Sequence, residues 1–87
     1  MNIIYSKKNY NIYKISRQSF IIHNTKKKFE DGHTHIKNYK TAKYLIDLCI
    51  HRSIPDRHLS DYLLESIIRL STDIDYIKQI KQKMRRG

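Results

Sequence analysis

Tryptophan and valine are absent from this chain, and its 87 residues hold one cysteine, one proline and two glycines. The lone cysteine, Cys49, excludes an intrachain disulfide and any zinc site built on a cysteine pair. On an apolar helical face it reads as a small buried hydrophobe and fits a reducing compartment. With only Gly32 and the terminal Gly87, the chain has no glycine-rich phosphate loop and no nucleophile elbow. No apolar run approaches the ~20 residues that span a bilayer. Met1–Tyr5 is followed by Lys7 and Lys8, so no secretory leader and a cytoplasmic location are expected. Repeats and interdomain linkers are also missing, and a chain this short is expected to be one domain, strand-rich over 1–37 and helical over 38–85.

Acidic residues are scarce too: eight Asp and Glu against eighteen Lys and Arg, for a formal charge of +10. That charge is sorted by position, with +8 over residues 1–44, −3 over 45–77 and +5 over 78–87. What is abundant is Ile, Lys, Asn and Tyr, the residues an AT-rich genome favours, so part of the excess has a compositional origin. Its placement is more informative than its size. Basic ends around an amphipathic centre point to a polyanion or an acidic protein surface.

The first third predicts strands. Asn2–Tyr5 is short and apolar, and Tyr10–Ile15 alternates, with Tyr10, Ile12 and Lys14 on one face and Asn11, Tyr13 and Ile15 on the other. Ser6–Asn9 would connect them. Ser19–His23 suits a central strand, and Asp31-Gly32 reads as a type I′ turn joining Lys27–Glu30 to His33–Lys37. Helices follow. Asn38 is the expected first N-cap, with Thr41 as the alternative start, and Ala42, Leu45, Ile46, Cys49 and Ile50 form one helical face that ends before Pro55. A second helix, from Asp56 or Ser60 to Leu70, would turn Leu59, Tyr62, Leu63, Ile67 and Leu70 inward, with Leu64 and Ile68 widening the stripe toward a second contact. A third, capped by Thr72, would keep Ile74, Ile77, Ile80 or Lys81, and Met84 on one side. The expected fold is α+β: a small antiparallel sheet of hairpins followed by three packed helices.

Three constellations are candidates for function. Lys7, Lys8, Lys14, Arg17, Lys26, Lys27 and Lys28 lie among Tyr10 and Tyr13. Lysines attract phosphates by counterion release, and tyrosine faces stack on unpaired bases, so this mixture suits single strands or RNA better than a duplex groove. The alternative is that several tyrosines, Tyr5, Tyr39 and Tyr44 among them, sit at the core edge with their hydroxyls in water. Lys83, Arg85 and Arg86 load the last helix, whose polar face also carries Lys78, Gln79 and Gln82, residue types that read a major groove. Its short Ser71-Thr72 break lacks the glycine usual in a helix-turn-helix. Finally, His33 and His35 would share one face of a strand, with Glu30, Asp31 and His23 expected close by, and begin a metal site, but four ligands are wanted for structural zinc.

The run Gly32-His33-Thr34-His35-Ile36, then Thr41-Ala42-Lys43, Ile54-Pro55, Leu59-Ser60, Tyr62-Leu63-Leu64 and Ile68-Arg69-Leu70-Ser71 resembles a pattern in small uncharacterised proteins of low-GC bacteria and their phages and mobile elements. That class includes anti-CRISPR proteins, so the resemblance implies an inhibitor that binds a nuclease complex. The sequence as a whole reads as a non-enzymatic basic protein without a cofactor or a membrane partner. It would bind nucleic acid or a nucleoprotein complex; the alternatives are that inhibitor and a dimeric module, a homodimer through Leu64 and Ile68.

Overall fold

The computed structural model describes residues 2–86, with side chains as far as Met84. The chain runs β1 (Asn2–Lys7), β2 (Tyr10–Ser16), β3 (Ser19–Asn24), β4 (His33–Ile36), α1 (Tyr39–His51), α2 (Asp61–Leu70) and α3 (Ile74–Arg86). The strands make one antiparallel sheet in the order β1-β2-β3-β4, and the helices follow, which is the α+β plan expected from the sequence.

The β1–β2 hairpin is tighter than its polar connection suggests. Ser6 and Lys7 stay in the strand, opposite Asn11 and Tyr10, and Lys8 turns the chain at φ 56. A bulge between Ile3 and Tyr5 breaks the β1 register, and a second between Lys14 and Ser16 precedes the Arg17–Gln18 turn.

Lys27–Glu30 is not a strand, and Asp31-Gly32 is not a hairpin turn. β4 pairs directly with β3, from Phe20↔Ile36 to His23↔His33, and residues 25–32 bridge them as a loop. Its frame is the fully buried Asn24. The Asn24 side-chain oxygen accepts from Asn9 Nδ2 (2.6 Å) and the Lys26 amide (2.9 Å), while its Nδ2 donates to the Leu70 carbonyl (2.7 Å). Gly32 has no positive φ; its lack of a side chain serves close approach instead, because a Cβ there would lie 2.6 Å from Lys27 Cβ.

α1 follows its expected pattern. The Asn38 side chain accepts from the Thr41 amide, Ala42, Leu45, Ile46 and Cys49 are buried together with Leu48, and Arg52 closes the helix at φ 51. α2 starts at Ser60, whose Oγ accepts from the Leu63 amide, but its buried face is rotated from the expected one. Leu64, Ser66, Ile67 and Leu70 are inside and Tyr62 is out, 54% exposed. Leu64 therefore belongs to the core of its own chain, which removes it from any interface with a second copy; Ile68 packs half-buried beside it. In α3 the N-cap is Asp73 rather than Thr72, since Asp73 Oδ1 accepts from the Tyr76 amide at 2.9 Å. Its buried face is set by Tyr76 and Ile80, leaving Ile74 69% exposed.

The inner sheet face, with Tyr10, Ile12, Phe20, Ile22 and Ile36, joins these helical residues in one core. α1 and α2 lie against the sheet, and α3 packs on α2. Among the described residues, no buried side-chain nitrogen or oxygen lacks a hydrogen-bond partner. Ser66 donates to the Tyr62 carbonyl, so Thr34 is the donor in its 2.6 Å contact with Ser66. No described helix is long and apolar enough to cross a membrane.

Candidate nucleic-acid interface

Helices cover one face of the sheet and leave the other open. Directly opposed residues on neighbouring strands point to the same face, so the register spells out what the open face carries. One row runs Ile3, Tyr13, Ile21, His35, and the next runs Ser6, Asn11, His23, His33. Neither row contains an acid. Phe29, from the 25–32 loop, lies flat against His33, with ring centroids 4.3 Å apart and planes 8° from parallel. It also sits 5.2 Å from His23, while His33 meets His35 edge-on at 5.2 Å.

Hydrogen bonds set this cluster. A carbonyl oxygen only accepts, so His33 donates through Nδ1 to the Phe29 carbonyl, and His23 donates through Nε2 to the Lys27 carbonyl at 3.0 Å. His33 Nε2 and His23 Nδ1 are thereby left as acceptors in the neutral rings. Beside the cluster, Arg69 donates to the His33 and Glu30 carbonyls (3.0 and 2.8 Å), and the Tyr62 hydroxyl donates to the His35 carbonyl at 2.6 Å. The outward edge of β4 is thus capped by α2 side chains. Glu65 borders the same corner, in a small cavity shared with His33, His35 and Arg69.

The residues singled out by sequence divide sharply. Tyr10 is not a stacking residue: it faces the helices, is 6% exposed, and burial pushes its hydroxyl up to about 12. Tyr5, Tyr39 and Tyr44 pack half-buried against the core, with the Lys43 ammonium over the first two rings and the Arg57 guanidinium over the third. Tyr13 alone of the two expected stacking residues lies on the open face, half-exposed. Lys7 pairs with Asp47 at 2.9 Å, and that hydrogen bond and charge raise its pKa. Lys27 is structural: its Nζ donates to the Arg69 carbonyl (2.7 Å), and burial followed by the nearby Arg69 charge lowers its pKa. Lys8, Lys14, Arg17, Lys26 and Lys28 remain exposed.

Lys83 belongs to a different surface, a cavity between α3 and the 54–61 segment that it shares with Gln79 and Gln82. The Arg85 and Arg86 side chains lie outside the described residues. His33 and His35 come together, but no group of three or more His, Cys, Asp or Glu among the described residues is placed to hold a metal. His23 and Phe29 complete the cluster; His23 was expected close to the histidine pair, and Phe29 is the residue the sequence pattern passed over. Alternation along β3 and β4 carried the signal for His23, whereas Phe29 arrives through a loop contact that has no periodicity.

No protein-family model, curated protein or solved structure matches this chain.

Proposed function

We propose that this protein binds single-stranded nucleic acid, DNA or RNA, or a nucleoprotein that displays it, on the open face of its sheet, and catalyses no reaction. One observation carries the reading: an acid-free sheet face bearing Tyr13, three imidazoles and Phe29, on a chain with a formal charge of +10. Unpaired bases stack on Tyr, Phe and His faces, and a sheet offers them side by side without requiring a groove. Lys8, Arg17, Lys26 and Lys28, in the turns and loop at the strand ends, and Lys14, exposed at the end of β2 in the row of Phe20 on the helix side, are the cations free to meet phosphates. Burial pushes both the Tyr10 hydroxyl and the Cys49 thiol up to about 12, so neither of these two groups exchanges protons near neutrality.

Anisotropy titrations of labelled single strands and duplexes over a salt series test this. If those five cations each neutralise a phosphate, log affinity falls against log salt with a slope of roughly −3.5 for single strands. A flat salt response, or no binding near physiological salt, rejects the reading.

A second reading is supported by the other sheet edge. β1 is exposed except at Tyr5, with Ile3 and Ile4 at 53% and 40%, and among the described residues no side chain hydrogen-bonds its edge as Arg69 and Tyr62 do that of β4. A protein partner, such as the nuclease complex engaged by an anti-CRISPR-like inhibitor, would pair along that strand. Capture of a nuclease-resistant protein complex, with naked DNA and RNA left unbound, would favour it.

A further inference from the structure

At the end of the sheet where β1 turns into β2, three cations from three separate segments border one cleft of about 420 Å³. Lys8 comes from the β1–β2 turn, Lys26 from the loop after β3, and Arg52 from the end of α1. Tyr10 and Cys49 line its buried side, and Thr72 adds an exposed hydroxyl. Lys8 and Arg52 are also the only non-glycine residues at positive φ among the described residues. Glycine or asparagine adopts that conformation at least cost, yet both positions that border this cleft carry a long cation.

The charge balance favours an anion. Tyr10 and Cys49 stay neutral, each pushed up to about 12 by burial. The one carboxylate on the wall, Asp73, already has both oxygens engaged. Its Oδ1 accepts from the Tyr76 amide at the start of α3, and its Oδ2 meets Arg52 at 3.2 Å. Lys8 and Lys26 have no such carboxylate partner among the described residues.

We propose that this cleft binds a phosphate dianion, with Lys8 and Lys26 as the principal ligands and Arg52 shared between the anion and Asp73. This goes beyond the open sheet face, which recognises bases; the cleft recognises a phosphate bearing two negative charges. The dianion is either free phosphate or the terminal phosphate of a nucleotide chain.

The test follows backbone amide resonances of the whole chain during titration with inorganic phosphate, a 5′-phosphorylated trinucleotide and its 5′-hydroxyl counterpart. Inorganic phosphate should shift Lys8, Lys26 and Arg52 along a saturating curve. The phosphorylated trinucleotide should bind about tenfold tighter than the hydroxyl form, the scale of one charge-assisted hydrogen bond. Lys8→Gln with Lys26→Gln should erase that preference; both side chains are exposed, so the fold is kept. Asp73→Asn preserves a capping residue while removing the competing carboxylate, and should tighten phosphate binding about fivefold. A fold defect would not produce that gain. Inorganic phosphate binding with neither trinucleotide bound upholds the cleft, assigns it to free phosphate and counts against the sheet-face reading. Equal binding of the two trinucleotides with no response to inorganic phosphate overturns the cleft and leaves the sheet face standing.

Discussion

Ile21 and Ile22 are neighbours on β3, almost equally inaccessible at 4% and 0%, and they face opposite sides of the sheet. Ile22 belongs to the core that joins the sheet to the helices; Ile21 does not. It is flanked across the strands only by Tyr13 and His35, on the face no helix covers. The same residue type, in the same strand, is therefore held by two kinds of surroundings. One is a close-packed interior between two layers. The other is a single layer of aromatic and imidazole side chains still open to water above. Burial alone does not mark the core; what lies over the residue does.

The largest test of that contrast is substitution of the pair. Ile22→Ala should lose about 3 kcal/mol, because the cavity lies between two rigid layers. In a chain of this size that lowers the thermal midpoint by about 12–24 °C. Ile21→Ala should lose only about 1–2 kcal/mol, since Tyr13 and His35 can settle into the space. Equal losses in thermal denaturation would break the comparison.

Asn24 ties the inner face to the loop that shapes the outer one. Asn24→Ala should cost about 2–3 kcal/mol in denaturant unfolding by stripping partners from the Asn9 amide, the Lys26 amide and the Leu70 carbonyl. It should also weaken oligonucleotide binding by disturbing the segment that carries Phe29. A stable Asn24→Ala protein with unchanged affinity would show the loop to be independent of this hub.

The tyrosines of β2 sharpen the contrast through function. Tyr13→Ala should weaken single-strand binding about tenfold, the value of one stacked base, while moving stability by less than about 1 kcal/mol. Tyr10→Phe should leave that affinity unchanged. A matching loss from both would mean that the two faces are not distinct.

The smallest effect lies away from both faces, at the helix junction. The Tyr76 amide, together with Arg52, holds the Asp73 carboxyl below its ordinary value of 3.8. A depressed carboxyl stabilises the fold above that ordinary value, and the contribution is lost as pH falls through the lower, folded-state value. Asp73→Asn keeps a cap that does not titrate, so its acid unfolding curve should be flatter in that window than the parent's. Identical curves would place the acid sensitivity elsewhere.

Much of this architecture was legible because it is local. The Asn38 cap, the Ala42–Cys49 stripe and the first hairpin depend on residues within a turn or a strand of one another. The third helix shows where that runs out. Ile74 and Tyr76 are both apolar residues of its first turn, and periodicity preferred Ile74. The register was settled by the Tyr76 hydroxyl donating to the Ser53 carbonyl at 2.8 Å, a contact across 23 residues. Tyr62 likewise looks inward by spacing and lies outward to reach the edge of β4. Gly32 was legible as special, but its reason is the approach of Lys27 rather than a positive φ.

The site was half legible for a related reason. Strand alternation already placed Tyr10 and Tyr13 on opposite faces, so a sheet covered on one side could expose only one of them. Which side the helices would take is decided by the fit of α1 and α2 to Tyr10, Ile12 and Ile22, and no window of β2 contains that information. The sequence by itself determined the order of elements, the alternation of each strand and the excess of positive charge, because these follow from neighbours in the chain. Tertiary structure decided which face stays open, which lysines are free and which are bound to Asp47 or Arg69, and that Lys8, Lys26 and Arg52 meet. Those outcomes depend on packing between segments tens of residues apart, where a side chain's role is set by what covers it.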